Sequence, residues 1–234
     1  MVLHGLTRRS LELFLLNTKL ICVCFALWLT TSGSVYAAEN IGEKQADFKG
    51  ELASVDARYA ANWVTSNDDN QQQPFVIVDK KNARLFVFEV NGHLLGSTAI
   101  LLGVGLGDHS VSGIASRDLK SLRTEERTTP AGRFESEPGH NLGGEDIVWV
   151  DYGAKIAIHR LRPDTGNEHR AKRLASITSD DNRISMGCIV VPVGFYENIV
   201  RPVLGKRYGV VYVLPETSSA QRMFGAFDVS LNRF

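Results

Sequence analysis

The chain has 234 residues, with 26 basic and 26 acidic side chains, six histidines and three cysteines. A charge balance of zero gives no electrostatic case for binding nucleic acid or an anionic membrane surface. The length is enough for one domain with a sizeable core plus appendages.

The N-terminal 38 residues read as a secretory signal peptide rather than as part of the fold. Arg8, Arg9 and Lys19 supply a positive lead, and Leu20 to Leu29 (LICVCFALWL) supplies an apolar core too short to span a bilayer comfortably. Val35-Tyr36-Ala37-Ala38 places small residues where signal peptidase reads, so cleavage is expected after Ala37 or Ala38. An uncleaved anchor helix is the alternative. After cleavage no second apolar run remains, so no integral membrane segment is expected, and the chain is expected in the periplasm.

Cleavage also removes Cys22 and Cys24 and leaves Cys188 alone. In an oxidising compartment most cysteines pair. A lone one is a buried inert thiol, an intermolecular crosslink or a reactive nucleophile.

Residues 39–74 read as a helical segment and a polar linker. Phe48, Leu52, Val55, Tyr59 and Trp63 recur at spacings of three and four and predict one amphipathic helix over 39–66, and 66–74 (SNDDNQQQP) is low-complexity and polar. The main domain, 75–215, opens with a predicted meander: strands at Phe75 to Asp79 and Arg84 to Val90, an Asn91-Gly92 hairpin turn, and a third strand from His93 to Leu102. The following GVGLG lacks the third glycine and the helix of a dinucleotide fingerprint and reads as a turn. Residues 108–128 are expected as a surface excursion. Strands are predicted at Ile147 to Tyr152 and Lys155 to His159, then a long loop over 160–184 with a helical turn near Arg170 to Ser176. Pro192 opens a helix running to about Leu204. Tyr208 to Leu214 is a nearly all-apolar closing strand, buried on both faces. The tail, 216–234, carries no functional pattern. The sum is a mostly β (α+β) domain with one or two short helices.

Two segments carry chemistry. Ala157-Ile158-His159 ends a predicted strand, and Ser185-Met186-Gly187-Cys188-Ile189 follows 26 to 30 residues later. A thiol becomes a good nucleophile when an imidazole takes its proton. Gly187 lets the backbone approach a substrate carbonyl, so amides at Gly187 and Cys188 are expected to hold an oxyanion. His93, His109, His140 and His169 fall in loop-like segments and read as surface histidines, with His140 the one placed to line a cleft. No spacing supports a zinc site. Arg160, Arg162, Arg170 and Arg173 read as a solvated face or as a clamp for substrate carboxylates.

These segments, with the meander, Thr129-Pro130-Ala131-Gly132-Arg133-Phe134, Ile158-His159 and Ser185-Met186-Gly187-Cys188-Ile189, resemble in order the elements of the L,D-transpeptidase (YkuD) catalytic domain. The resemblance covers residues 75–215. It implies a β-sandwich or barrel and an acyl transfer on peptidoglycan stem peptides, without metal or cofactor. Carried over, Cys188 is the nucleophile, His159 the base, the Arg160 carbonyl orients the imidazole, Ser185 buttresses the site, and Gly187 with Cys188 forms the oxyanion hole. Two departures stand out: Met186 replaces the histidine that most members have before Gly-Cys, and Val190 replaces an Arg or Asn. A hydrolase with water as acceptor, an inactive peptidoglycan-binding module and a structural core cysteine remain as alternatives.

Overall fold

A computed structural model describes residues 44–164 and 166–225. The expected signal peptide and the end of the tail lie outside the described residues. Among the described residues no helix is long and apolar enough to cross a membrane.

The backbone is mostly β. Strands β1 (Phe75–Asp79), β2 (Arg84–Phe88), β3 (Leu94–Ala99), β5 (Gly132–His140), β6 (Asp146–Asp151), β7 (Ile156–Arg160), β9 (Ile189–Val191) and β10 (Gly209–Val213) form one sheet in the order β3-β2-β1-β10-β5-β6-β7-β9. The short strands β4 (Leu102–Gly103) and β8 (Arg183–Ser185) pair parallel with each other. Leu101 exchanges backbone hydrogen bonds of 2.9 Å with Val190 of β9, so the chain leaving one edge strand docks on the other and nearly closes the sheet into a barrel. A closed sheet leaves few unpaired edge groups.

Alternation along the strands builds two cores. Val76, Val78, Leu85, Val87, Ile156, Ile158, Ile189, Val191, Val211 and Val213 fill the barrel interior. Phe75, Ile77, Phe86, Phe88, Val210 and Tyr212 point the other way, under a helix at Val55–Asn67. This explains why the Phe75 and Tyr208 runs are apolar throughout: β1 and β10 are buried at every position.

The helix differs from its sequence expectation. It starts at Val55, where Ser54 caps it by accepting the Ala57 N–H at 3.0 Å. Leu52 and Val55 are 84% exposed, and the buried face joins the small residues Ala57, Ala60 and Ala61 to Trp63, Val64 and Thr65, with Trp63 packed edge-on against Tyr212 of the sheet. Residues 44–54 run outside it, with Asp47 bridging to His93. The polar stretch 66–74, read as a linker, forms turns packed on the domain: Asn70 is buried and donates to the carbonyls of Gln73 and Val90, and Asp69 pairs with Arg133 at 2.9 Å. Its polar side chains bond to distant parts of the domain, which composition does not reveal.

Two more differences have local causes. The third strand breaks at Ile100, because Leu101 leaves for β9 and Leu102 for β8. The helix after Pro192 runs to Leu204 as expected, but through a π segment, Tyr196–Val200, between Val193–Phe195 and Arg201–Leu204. Pro202 has no N–H for the Asn198 carbonyl, which removes an α-type bond at that turn. The excursion 108–128 is three 3₁₀ turns anchored by buried Ile114 and Leu122.

Lys80 is fully buried. Its ammonium donates to the Gly107 carbonyl at 2.7 Å, Asp108 Oδ1 at 3.0 Å and the Thr129 carbonyl at 3.0 Å. Glu216 and Thr217 extend this network: Glu216 pairs with Arg183, and both backbone N–H groups donate to Asp108. Breaking a buried pair on one side leaves an uncompensated charge. Lys80→Met is therefore expected to cost about 3–5 kcal/mol of stability, measured by urea unfolding; a loss well under 1 kcal/mol would show that the network is not load-carrying.

Candidate active site

The site is built by the parallel pairing of β7 with β9, in register Ile158 to Ile189, His159 to Val190 and Arg160 to Val191. Ile156, Ile158, Ile189 and Val191 enter the barrel core. Strand alternation therefore turns Ala157 and His159 to the outer face, with Cys188 and Val190 on the same side of the neighbouring chain. His159 and Cys188 line one cleft of about 520 Å³, with Trp149, Tyr152, His140, Lys155 and Arg162 among its other walls. His159 is 8% exposed and Cys188 is half-buried.

The imidazole is oriented by its own strand. His159 Nδ1 lies 2.8 Å from the Arg160 carbonyl oxygen, which only accepts, so Nδ1 carries the proton and Nε2 keeps a lone pair in the neutral ring. Burial lowers the His159 pKa to about 4. The Arg160 carbonyl and Glu145 oppose that shift, while the Arg162 and Arg170 guanidiniums add to it. Burial raises the Cys188 thiol, against the Ala157 backbone N–H and Arg162, which favour the thiolate. The sulfur donates to the Lys155 carbonyl at 3.6 Å. At neutral pH the resting pair is therefore thiol and neutral imidazole, not thiolate and imidazolium.

The loop carrying the cysteine is held from below. Ser185 Oγ donates to the Cys188 carbonyl at 2.6 Å and accepts the Gly187 N–H at 3.1 Å. Gly187 has φ +126°, and a Cβ there would lie 2.7 Å from the Thr128 carbonyl oxygen, so glycine is required on both counts. The fully buried Thr129 hydroxyl donates to the Gly187 carbonyl at 2.8 Å and accepts the Gly103 N–H at 2.9 Å. Through the Thr129 carbonyl this bracket rests on Lys80. The Gly187 N–H, expected to serve an oxyanion, donates to Ser185 Oγ inside the loop in this structure. Thr129 was not singled out from the sequence as a site residue; its place in the Thr-Pro element was the available signal.

The remaining candidates separate cleanly. The Arg160 side chain bonds Glu197 at 2.8 Å and Asp146 at 3.1 Å and lies over the Tyr196 ring, so only its carbonyl serves the site. Arg162 pairs with Glu145 at 2.8 Å and faces the cleft. Arg170 pairs with Glu168 and Arg173 donates to backbone carbonyls. Val190 is buried with Leu101 and Leu174 in a small apolar cluster, which accounts for an apolar residue at that position. Met186 is 36% exposed beside the loop, rather than filling space in the cleft. No group of three or more His, Cys, Asp or Glu among the described residues is arranged to hold a metal ion.

No known protein family matches the chain, and no curated protein matches it. Among solved structures it is similar to a mutant of the Enterococcus faecium L,D-transpeptidase (18% identity over 61% of this chain and 50% of that one, TM-score 0.34). It is likewise similar to the L,D-transpeptidase of Xylanimonas cellulosilytica (18% identity, 61% and 60% covered, TM-score 0.36). A third is the E. faecium catalytic domain solved by NMR (19% identity, 61% and 98% covered, TM-score 0.33). The chain thus spans only 50% and 60% of the first two structures.

Two measurements check the site as described. The His159 ring is expected to titrate with a midpoint of about 4 in histidine-resolved NMR, and a midpoint near 6.5 would remove the desolvated, neutral base. Gly187→Ala is expected to destabilise the fold by about 1–3 kcal/mol, read by thermal or urea unfolding, with wild-type stability as the contrary result.

Proposed function

We propose that this chain is a cysteine acyltransferase acting on peptidoglycan stem peptides by L,D-transpeptidation, exported to the periplasm by a cleavable signal peptide. The observation that supports this most directly is the common cleft of Cys188 and His159, with Nδ1 tied to the Arg160 carbonyl and Nε2 left as acceptor. The Ser-x-Gly-Cys loop, braced by Ser185 and Thr129, is the second support.

In this reading the Cys188 sulfur attacks the carbonyl carbon joining an L-centre to a terminal D-residue as its proton passes to His159 Nε2. The resting pair is neutral, so proton transfer accompanies attack rather than preceding it. The tetrahedral oxyanion is met by the Cys188 backbone amide, the Gly187 amide being engaged elsewhere. Collapse breaks the C–N bond, the released amine takes the proton back from His159, and a thioester remains. An amine of a second stem attacks the thioester carbonyl as its proton passes to His159, the C–S bond breaks, and the Cys188 sulfur takes that proton back from His159. Water as acceptor makes the same intermediate a carboxypeptidase.

Intact-mass spectrometry with a tetrapeptide stem or a carbapenem tests the proposal. A covalent adduct is expected on the wild-type chain and none on Cys188→Ala with the fold retained; an undiminished adduct in that variant overturns the assignment. His159→Ala is expected to slow acylation by about 10³–10⁴-fold. Acylation by wild type is expected to persist to mildly acidic pH and to fall only as His159 protonates, around pH 4.

A further inference from the structure

Within that acyl-transfer reading, the charges around the cleft identify a feature of the substrate. The chain has zero net charge, yet the cleft lining holds two permanent cations, Lys155 and Arg162, and no Asp or Glu. Lys155 has one of its donors committed, 2.7 Å from the Arg117 carbonyl. Arg162 is gripped on its far side by Glu145 at 2.8 Å, and Glu145 is itself held at 2.6 Å by Asn141. The Arg162 Nε is enclosed without a hydrogen-bond partner, and its side chain is 42% exposed, so the guanidinium is oriented and incompletely satisfied. The other arginines near the site end in ion pairs or on backbone carbonyls away from the lining.

We propose that Arg162 is the specificity-determining residue of this cleft, reading a free carboxylate on the acyl donor, with Lys155 as the supporting cation. A planar guanidinium steered by a counter-ion on one edge presents its remaining donors in the geometry a carboxylate accepts. The aromatic wall at Trp149 and Tyr152 accommodates the apolar body of such a donor.

The arrangement has a catalytic consequence. His159 must become an imidazolium during attack, and Arg162 lies close enough to oppose that charge. A carboxylate on Arg162 cancels the opposition. The donor's anion thus assists the base as well as anchoring the donor, and its loss is expected to lower the acylation rate constant as well as the affinity.

The test uses three tetrapeptide donors: one with free carboxylates at the C-terminus and at the third residue, one amidated at the C-terminus, and one amidated at the third residue. Thioester formation is followed by intact mass over a range of donor concentrations for wild type, Arg162→Gln and Arg162→Lys. In wild type, amidating the carboxylate that Arg162 reads is expected to cut acylation efficiency by about tenfold or more, in rate constant as well as in affinity, and the affected arm identifies which carboxylate it is. In Arg162→Gln the free and amidated donors are expected to converge, with the affinity advantage of the free donor lost, the rate constant no longer dependent on amidation and the acid limb of the pH profile moved upward; Arg162→Lys is expected to keep part of the preference. A wild type that acylates all three donors equally, or a preference undiminished in Arg162→Gln, overturns the inference while leaving the acyl-transfer reading intact. Absence of a thioester from every donor overturns that reading, and the inference falls with it.

Discussion

The site depends on one register, the parallel pairing of β7 with β9. Because side chains alternate along a strand, fixing Ile158 opposite Ile189 in the barrel core also fixes which side His159 and Cys188 take. A slip of one residue on either strand would send its reacting side chain into the hydrocarbon interior and bring an isoleucine out. The cost of bringing Ile158 or Ile189 out of the core is what holds the register, so the same burial that stabilises the barrel aims the catalytic candidates. It also sets their protonation: packing at this seam takes His159 almost wholly out of water and half-buries Cys188, which lowers the first and raises the second.

The register alone does not position a loop, and Cys188 sits just before β9 rather than in it. The loop is fixed by polar groups with nowhere else to go. Thr129 bridges Gly187 and Gly103, and its carbonyl rests on Lys80, whose charge is met by Asp108. Each group satisfies the next, and a buried network of this kind is stiff because removing any member leaves another unpaired. Glu216 and Thr217 belong to it, so the first residues of the segment after β10 support the floor of the cleft rather than trailing from the domain.

The sequence was legible where a physical signal was local. The apolar run at Tyr208 to Leu214 announced β10 as a strand buried on both faces, Phe75 to Asp79 announced β1 as a strand, and Asn91-Gly92 announced the hairpin. The lone Cys188 and the strand-end His159 pointed to each other through residue chemistry, and the structure places both on one cleft. What was not legible is tertiary in origin. The nine residues of β5, GRFESEPGH, hold two glycines and a proline and show no alternation, yet they form a strand because β10 and β6 supply partners on both sides. The early helix was drawn through Phe48 and Leu52 because spacing cannot distinguish Phe48, buried from an extended segment, from a helical position; Ser54 was the better mark of the start. The engagement of the Gly187 N–H by Ser185 depends on a turn geometry that no spacing encodes.

The apolar residue at Val190 is best understood through charge. Val190 is sealed beside Leu101 and Leu174, at the point where the Leu101 bridge closes the sheet, and a charged side chain there would have to leave water without a partner. The cleft has a cation two residues beyond β7, in Arg162, which Glu145 and, through it, Asn141 hold in place. That placement has a price in the resting state, since a fixed positive charge near His159 makes the imidazole a poorer base. The same placement becomes useful when an anion arrives, because neutralising Arg162 relieves His159 at the moment it must accept a proton. A base held weak by burial and by a neighbouring cation, and strengthened by an anionic donor, favours chemistry on that donor over idle reaction with neutral ones.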